Sequence, residues 1–294
     1  MVATAARRCC RYFSAVSHDP TSFNLLLEVN ALPLRMIFPP ELVDEILAHL
    51  RHNRKTLRHC SLVAKSWAYS CQKLLYTRIY ITPLAYDIWR GIASPTSAEL
   101  YRHVRSLTLR QTWALPDSYE DYLKSFYRLQ HLTLVEVINI NLDIVNLFLP
   151  FQNTLSSLSL CYVSLTSDAF IKLLGYFPNL RVFRLTAPTF YSNPRTVPPP
   201  PTPLRGTLRL SDSFGKKGDT LLRQLCDLKL EYDELDLHRV SSCTPRIHSL
   251  VSACEKTLTR LTLSSWHSKL HALIKSRVLL NDASIQQKIS PSLS

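Results

Sequence analysis

The sequence predicts an α/β protein: a short helical segment over residues 36–75, then a stack of strand-and-helix units over residues 76–265 whose strands form one parallel sheet. Three observations predict it. A six-residue pattern, apolar-x-x-apolar-x-apolar, recurs along most of the chain at nearly constant spacing. Stretches with helical periodicity lie between its copies. Ahead of the first copy stands "IFPPELVDEILAHL", Ile37 to Leu50, with helix-start signals and an apolar stripe.

The copies end at Leu109 ("VRSLTL"), Leu134 ("LQHLTL"), Leu160 ("LSSLSL"), Leu185 ("LRVFRL"), Leu210 ("RGTLRL"), Leu237 ("YDELDL") and Leu263 ("LTRLTL"), and no step between neighbours departs from the mean by more than a position or so. A degenerate eighth copy, "YTRIYI", ends at Ile81, a slightly longer step before the first. "LCDLKL", ending at Leu230, also fits, but "YDELDL" preserves the spacing. The last positions of each copy alternate apolar and polar, as in a strand with one buried face. Between copies, "DSYEDYLKSFYRL", "NLDIVNLFLPF", "SDAFIKLLGYF", "DTLLRQLC" and "RIHSLVSAC" read as helices, several opening on Asp, Asn or Ser, whose side chains cap helix N-termini. Units this small cannot bury an apolar face alone, so they must stack.

Over residues 76–265 the pattern resembles a leucine-rich repeat, whose period is about 20–29 residues. The resemblance implies an α/β solenoid with parallel strands on its concave side. The family usually continues with x-x-N/C-x-L, its buried Asn or Cys satisfying backbone groups in the turn. Here those positions hold Thr112, Val137, Val163, Pro188, Ser213, Val240 and Trp266. Loose turns and an irregular array are therefore expected. "APTFYSNPRTVPPPPTP", with six prolines between Pro194 and Pro203, reads as an exposed loop over residues 187–203, because proline lacks the N–H donor and favours extended backbone. Residues 266–294 read as a frayed tail. Residues 1–35 read as a disordered leader, although "MVATAARRCCRYFSAVSHD", without an acid before Asp19, also resembles a mitochondrial presequence.

Composition narrows the function. With 5 glycines the chain has no G-x-G-x-x-G and no G-x-x-x-x-G-K-[ST], so no phosphate-cradling loop and no cofactor is expected. A net charge of +13 suits nucleic acid when it is clustered. Residues 1–35 carry 4 basic and 2 acidic groups, residues 36–80 carry 7 and 3, and the rest 24 and 17. That spread argues against nucleic acid, and the densest cluster, "RHNRKTLRH" from Arg51 to His59, lacks interleaved aromatics. The 8 cysteines show neither C-x-x-C nor zinc-spaced histidines and sit mostly in apolar company. Reduced structural cysteines in an intracellular compartment, cytoplasmic or nuclear, are expected. No run approaches the roughly 18 apolar residues of a membrane span.

In "FPPELVDEILAHL" the prolines suit a first helical turn, and Glu41, Asp44 and Glu45 lie toward the positive helix end. Leu42, Val43, Ile46, Leu47 and Leu50 share a face. A second short helix carries Leu57, Cys60 and Val63; a third carries Trp67, Leu74 and Leu75. Three short helices in about 40 residues are marginal for burying so many large side chains, so a further surface is expected to cover the stripe. Followed by "TLRHCSLVAKSWAYSC", the segment resembles an F-box, L-P-x-E-[LI]-x-x-x-I-[LF]-x-x-L and then a stretch ending V-x-[KR]-x-W. Pro39, Glu41, Leu42, Ile46, Leu47, Leu50, Val63, Lys65 and Trp67 match in order, with Phe38 in place of the commoner Leu. The resemblance implies that these ten residues bind a Skp-type adaptor, which joins F-box proteins to a cullin-RING ubiquitin ligase. An F-box joined to leucine-rich repeats is a familiar pairing among substrate receptors, including the fungal sets this chain resembles. The other reading is that the helices cap the N-terminal edge of the stack, and the two roles are compatible.

The function so implied is a non-catalytic substrate receptor that brings a protein target to another protein's active site. The alternative is an interaction scaffold with no part in ubiquitination. His248 with Cys254, and His59 with Cys60, read as surface histidines and core cysteines rather than catalytic pairs. For the target, the outward central column of the strands runs Thr108, Thr133, Ser159, Arg184, Arg209, Asp236 and Thr262, with Arg110 and Arg260 on adjacent columns. Neighbouring strands lie about 4.8 Å apart, so Arg184 and Arg209 are candidates for one fork that binds a carboxylate or phosphate. The competing arrangement pairs Arg209 with Asp236, leaves Arg184 solvated, and has the proline-rich insertion break the register between them. Arg110, Arg184, Arg209, Asp236 and Arg260 are the candidate target-binding residues.

Overall fold

The structure is a computed structural model that describes residues 39–82, 101–111, 123–191, 203–211, 222–223, 225–226, 228, 230–238 and 244–264. The chain divides into two compact units, 1–77 and 78–294. Phe38, the leader 1–35, the proline-rich stretch 192–202 and the tail 266–294 lie outside the described residues.

In the first unit α1 (Pro40–His49), α2 (Arg54–Val63) and α3 (Lys65–Tyr76) enclose Val43, Leu47, Leu57, Cys60 and Cys71. Pro40 takes the first turn of α1, where a missing N–H leaves no helical bond unmade. The Pro39 carbonyl accepts from the N–H groups of Leu42 and Val43 at 3.0 and 3.1 Å. Asn53 starts α2 by accepting from the Thr56 N–H at 3.0 Å through its side-chain oxygen. One extended residue, Ala64, separates α2 from α3. Arg54 donates to the Leu75 carbonyl at 3.2 Å, tying the start of α2 to the end of α3. The three short helices bury more of the α1 stripe than their size led one to expect. Val43 and Leu47 are closed over by the unit's own helices, with Leu50, Trp67, Leu74 and Leu75 packed around the same cluster.

In the second unit the described strands and α-helices are, in chain order, β1 (Arg78–Ile81), β2 (Ser106–Arg110), β3 (His131–Val135), α4 (Leu142–Asn146), β4 (Ser157–Cys161), β5 (Ser164–Leu165), α5 (Ser167–Tyr176), β6 (Val182–Thr186), β7 (Thr189–Phe190), β8 (Leu204–Ser211), β9 (Leu230–His238), α6 (Thr244–Ala253) and β10 (Arg260–Ser264), with a 3-10 turn at Leu149–Phe151. Eight strands form one parallel sheet in the order β1-β2-β3-β4-β6-β8-β9-β10. The repeat positions face one another: Ile81 lies opposite Leu109, and the series continues through Leu134, Leu160, Leu185, Leu210, Leu237 and Leu263. Even the degenerate first copy is a paired strand. Leu230 is the first residue of β9, opposite Leu204, so the competing "LCDLKL" ends where that strand begins. The helices are started by side chains, Asn141 accepting from Ile144 N–H at 3.0 Å and Thr166 from Ala169 N–H at 3.1 Å.

Purely parallel sheets are normally covered on both faces. Here burial alternates along each strand, with Leu107 and Leu109, Leu132 and Leu134, and Leu158 and Leu160 buried, and the residues between them partly exposed. Behind the buried face the crossovers contribute Phe126, Phe148, Phe151, Phe170 and Phe177, all buried. Phe170 meets Phe190 edge-on at 5.5 Å. The opposite face stays open among the described residues.

The expected loose turns are corrected for the described turns. Gln111, Glu136, Tyr162 and Ala187, each the first residue after its strand, hold φ of 55, 56, 54 and 43°. Their N–H groups donate to the last carbonyl of the next strand, at 2.9 Å to Val135, 2.9 Å to Cys161, 2.8 Å to Thr186 and 3.2 Å to Ser211. Val137 and Val163 sit buried where the repeat pattern would place Asn or Cys. Their carbonyls accept from Ser164 and Thr189 N–H at 2.9 and 2.8 Å. Backbone groups of neighbouring turns thus satisfy each other, freeing the side chain to enter the core. The segment read as a loop over 187–203 also begins as structure, since Thr189–Phe190 is β7, paired with β5. The insertion does not break register, because Val182–Thr186 pairs with Thr207–Ser211 residue for residue.

The described sheet departs from regularity between β8 and β9. Gly206 faces Tyr232 and Thr207 faces Glu234, leaving Asp233 as an extra residue. Gly206 has φ 94°, and a Cβ there would overlap the Arg181 carbonyl, which accepts from Thr207 N–H at 2.7 Å. Gly206→Ala is expected to destabilise the protein by about 2–4 kcal/mol. Urea unfolding checks this, and an unchanged midpoint with unchanged slope would contradict the bulge geometry.

Candidate interaction surfaces

The motif residues of the helical unit separate by depth. Pro39, Glu41, Val63 and Lys65 are exposed; Leu42, Ile46, Leu50 and Trp67 are half-buried. Leu47 is a correction, because it is fully buried and holds the unit together from inside instead of offering contact surface. Among the described residues of this unit, the large apolar side chains left exposed lie at the end of α2 and in the first half of α3, where Leu62, Val63 and Tyr69 are 81%, 56% and 52% exposed. Covering Leu62 and Val63 is worth about 1.5–3 kcal/mol each. Leu62 and Tyr69 were missed by the motif. The signal available was angular: at 3.6 residues per turn, Leu62 lies about 140° around the helix from Leu57, away from the Leu57–Cys60 stripe. Within the unit's core, burial and the neighbouring Cys60 push the Cys71 thiol up to about 11, so it stays protonated.

On the open sheet face, the expected central column is in register: Thr108, Thr133, Ser159, Arg184, Arg209, Asp236 and Thr262 lie side by side. Three of the four candidate arginines are engaged within the chain. Arg110 donates from Nε and Nη2 to the two carboxylate oxygens of Glu136, both at 3.3 Å, and from Nη1 to the Tyr80 hydroxyl at 3.4 Å. Arg260 Nη1 lies 3.1 Å from Glu234 Oε1, while the other oxygen of Glu234 accepts from the Thr207 hydroxyl at 3.1 Å. Arg209 Nε lies 3.8 Å from Asp236 Oδ2. Of the two arrangements the sequence left open, the one in which Arg209 pairs with Asp236 and Arg184 stays solvated is found in place of the Arg184–Arg209 fork. The two stand opposite each other in register, but like charges repel and Arg209 turns to the carboxylate on its other side. Arg184 is exposed and has no hydrogen-bond or ion-pair partner among the described residues.

Charge along the face is polarised. No Asp or Glu occurs within β1 to β8, whereas β9 alone carries Glu231, Asp233, Glu234 and Asp236. Next to Arg184 lie the hydroxyl of Ser159 and the half-buried Cys161, whose thiol is pushed up by burial against the opposing pull of Thr186 and Arg184. Among the described residues no group of three or more His, Cys, Asp or Glu side chains could hold a metal ion, and no helix is long and apolar enough to cross a membrane. Compared with known proteins, the chain matches no protein-family model and no curated protein.

Arg110, and secondarily the Gln111 side chain, holds the Glu136 carboxyl below the usual carboxylate range. A depressed folded-state pKa stabilises above the unfolded value and is lost as pH falls through the folded one. Glu136→Gln should therefore lower the melting temperature slightly at pH 6–7, by an amount that shrinks as pH falls below the ordinary carboxylate range. Thermal melts of both proteins from neutral to acid pH check this, and a difference that does not shrink on acidification would rule out the ion pair as its source.

Proposed function

We propose that this chain is a non-catalytic substrate receptor of a Skp-cullin-F-box ubiquitin ligase. On this reading α1–α3 are an F-box that docks a Skp-type adaptor. The sheet unit is a leucine-rich-repeat-like solenoid whose open parallel face holds a protein target. The receptor supplies proximity to another protein's active site, the contribution that converts a bimolecular transfer into an effectively intramolecular one.

The observation that carries the reading is the division of apolar residues in the helical unit. Its motif residue Leu47 closes an internal core, yet its motif residue Val63 stays exposed beside Leu62, on a unit too small to need either outside. Two consecutive exposed aliphatic side chains offer apolar area for a partner to remove from water. The open sheet face supports the second half, because a polar face lined by partly exposed side chains from eight strands is a contact surface for a macromolecule.

Leu62→Asp with Val63→Asp should reduce co-purification with a Skp-type adaptor and cullin at least tenfold. The melting temperature should not change, since neither side chain is packed inside. Leu47→Ala should instead lose the adaptor by unfolding the unit, at about 2–5 kcal/mol. Wild-type yield from the Leu62/Val63 double variant overturns adaptor docking through this surface. Ubiquitin transfer to a captured target in the reconstituted ligase separates the receptor from a scaffold that merely binds.

A further inference from the structure

We infer that the sheet face around Arg184 and Tyr162 binds an unphosphorylated peptide segment in which an Asp or Glu side chain stands about three residues from an apolar one. This rests on the reading of the open face as the target surface. The cation comes first. Arg110, Arg209 and Arg260 each face a carboxylate, but Arg184 projects from β6, fifth of the eight strands, with no acid within β1 to β8 and no partner for its guanidinium among the described residues. Opposite it Ser159 offers a hydroxyl. A guanidinium left open in this way is complementary to one carboxylate, which it takes through two parallel N–H···O bonds.

The apolar half lies one and two strands away. Val135 and Cys161 are half-exposed on β3 and β4, in register with each other, and Tyr162 follows with 55% of its surface open. Tyr162 holds φ 54°, a conformation that a bulky residue adopts at a cost, and its N–H donates to the Thr186 carbonyl at 2.8 Å, which fixes its backbone at the end of β4 beside the Arg184 strand. Arg184 faces Ser159, three residues before Tyr162, which places the two Cα atoms about 11 Å apart from the strand rise and spacing. Extended chain covers that distance in about three residues. Tyrosine and arginine together on one patch are the residues that most often dominate interface energies.

The size of the charge decides among anions. A phosphorylated side chain carries about two negative charges, and Arg209, the cation that would supply the second, is turned to Asp236. A nucleic acid backbone needs a track of free cations, and here the neighbours of Arg184 along the central column toward β1 are Ser159, Thr133 and Thr108.

The test selects phage-displayed random peptides, a dozen positions long, on the full-length chain, with counter-selection on Arg184→Gln, and remakes the enriched sequences with a fluorescein label for anisotropy. Enrichment of Asp or Glu with an apolar residue two to four positions away is expected. Replacing that acid by its amide should weaken binding at least tenfold, as should Arg184→Gln. Tyr162→Gly should weaken it equally while keeping or raising the melting temperature, because glycine takes the left-handed backbone of this turn freely. Arg209→Gln should change affinity less than threefold. The inference is overturned if acidic residues are not enriched or if Arg184→Gln binds the selected peptides unchanged. It also falls if phosphoserine versions bind where Asp versions do not, or if a labelled single-stranded oligonucleotide binds the same face more tightly. Adaptor capture plays no part in this assay. Peptide binding without adaptor binding would sink the ligase reading alone, and adaptor binding without acidic-peptide binding would sink this inference alone.

Discussion

Parallel pairing in strict register between inward-facing aliphatic side chains is the constraint on which the larger unit depends. Most of its sheet strands are short, β2, β3, β4, β6 and β10 each offering two inward positions, and these must stack on the two of the next strand. A slip of one residue would send every buried leucine to the open face. The crossovers absorb the remaining variation, the step from Ile81 to Leu109 being longer than the step from Leu109 to Leu134. For the same reason the proline-rich insertion leaves β6 and β8 in register, since it lengthens a connection without touching a ladder.

The turns transmit that register outward. Four residues in a left-handed conformation, none of them glycine, hand their N–H groups to the next strand and lock successive turns together. The strain of each is offset by a bond that carries the parallel ladder one residue past the strand. One consequence is structural: Val137 and Val163 are released into the core. The other is exposure, since Tyr162, the turn residue after β4, keeps 55% of its surface open. Glycine appears where the ladder fails, at Gly206, and there the backbone of Arg181 comes too close for any side chain.

The helical unit uses its apolar residues in two ways. Val43, Leu47, Leu57, Cys60 and Cys71 make a core small enough to be closed by three short helices. Leu62, Val63 and Tyr69 lie outside that cluster and are more than half exposed. A unit that could bury its own core and still carries an exposed aliphatic pair has surface to spend on a partner, which is the basis on which the receptor reading stands.

The sequence by itself determined the α/β class, the strand positions and the pairing of the sheet. Apolar alternation at a nearly constant interval admits one register that buries every repeat position, and Ile81 through Leu263 adopt it. It also determined which residues share the outward central column. Tertiary structure decided the depth and direction of individual side chains. Helical periodicity assigned Leu47 and Leu42 to one stripe, but only packing against α2 and α3 buried the first and left the second half-open. Strand spacing set Arg184 beside Arg209, but a guanidinium on a flexible stem goes to the nearest carboxylate, and β9 placed Asp236 within reach of one arginine and not the other. Periodicity encodes faces, whereas contacts depend on which neighbours arrive there: the next helices for Leu47, and a strand one whole repeat away for Arg209.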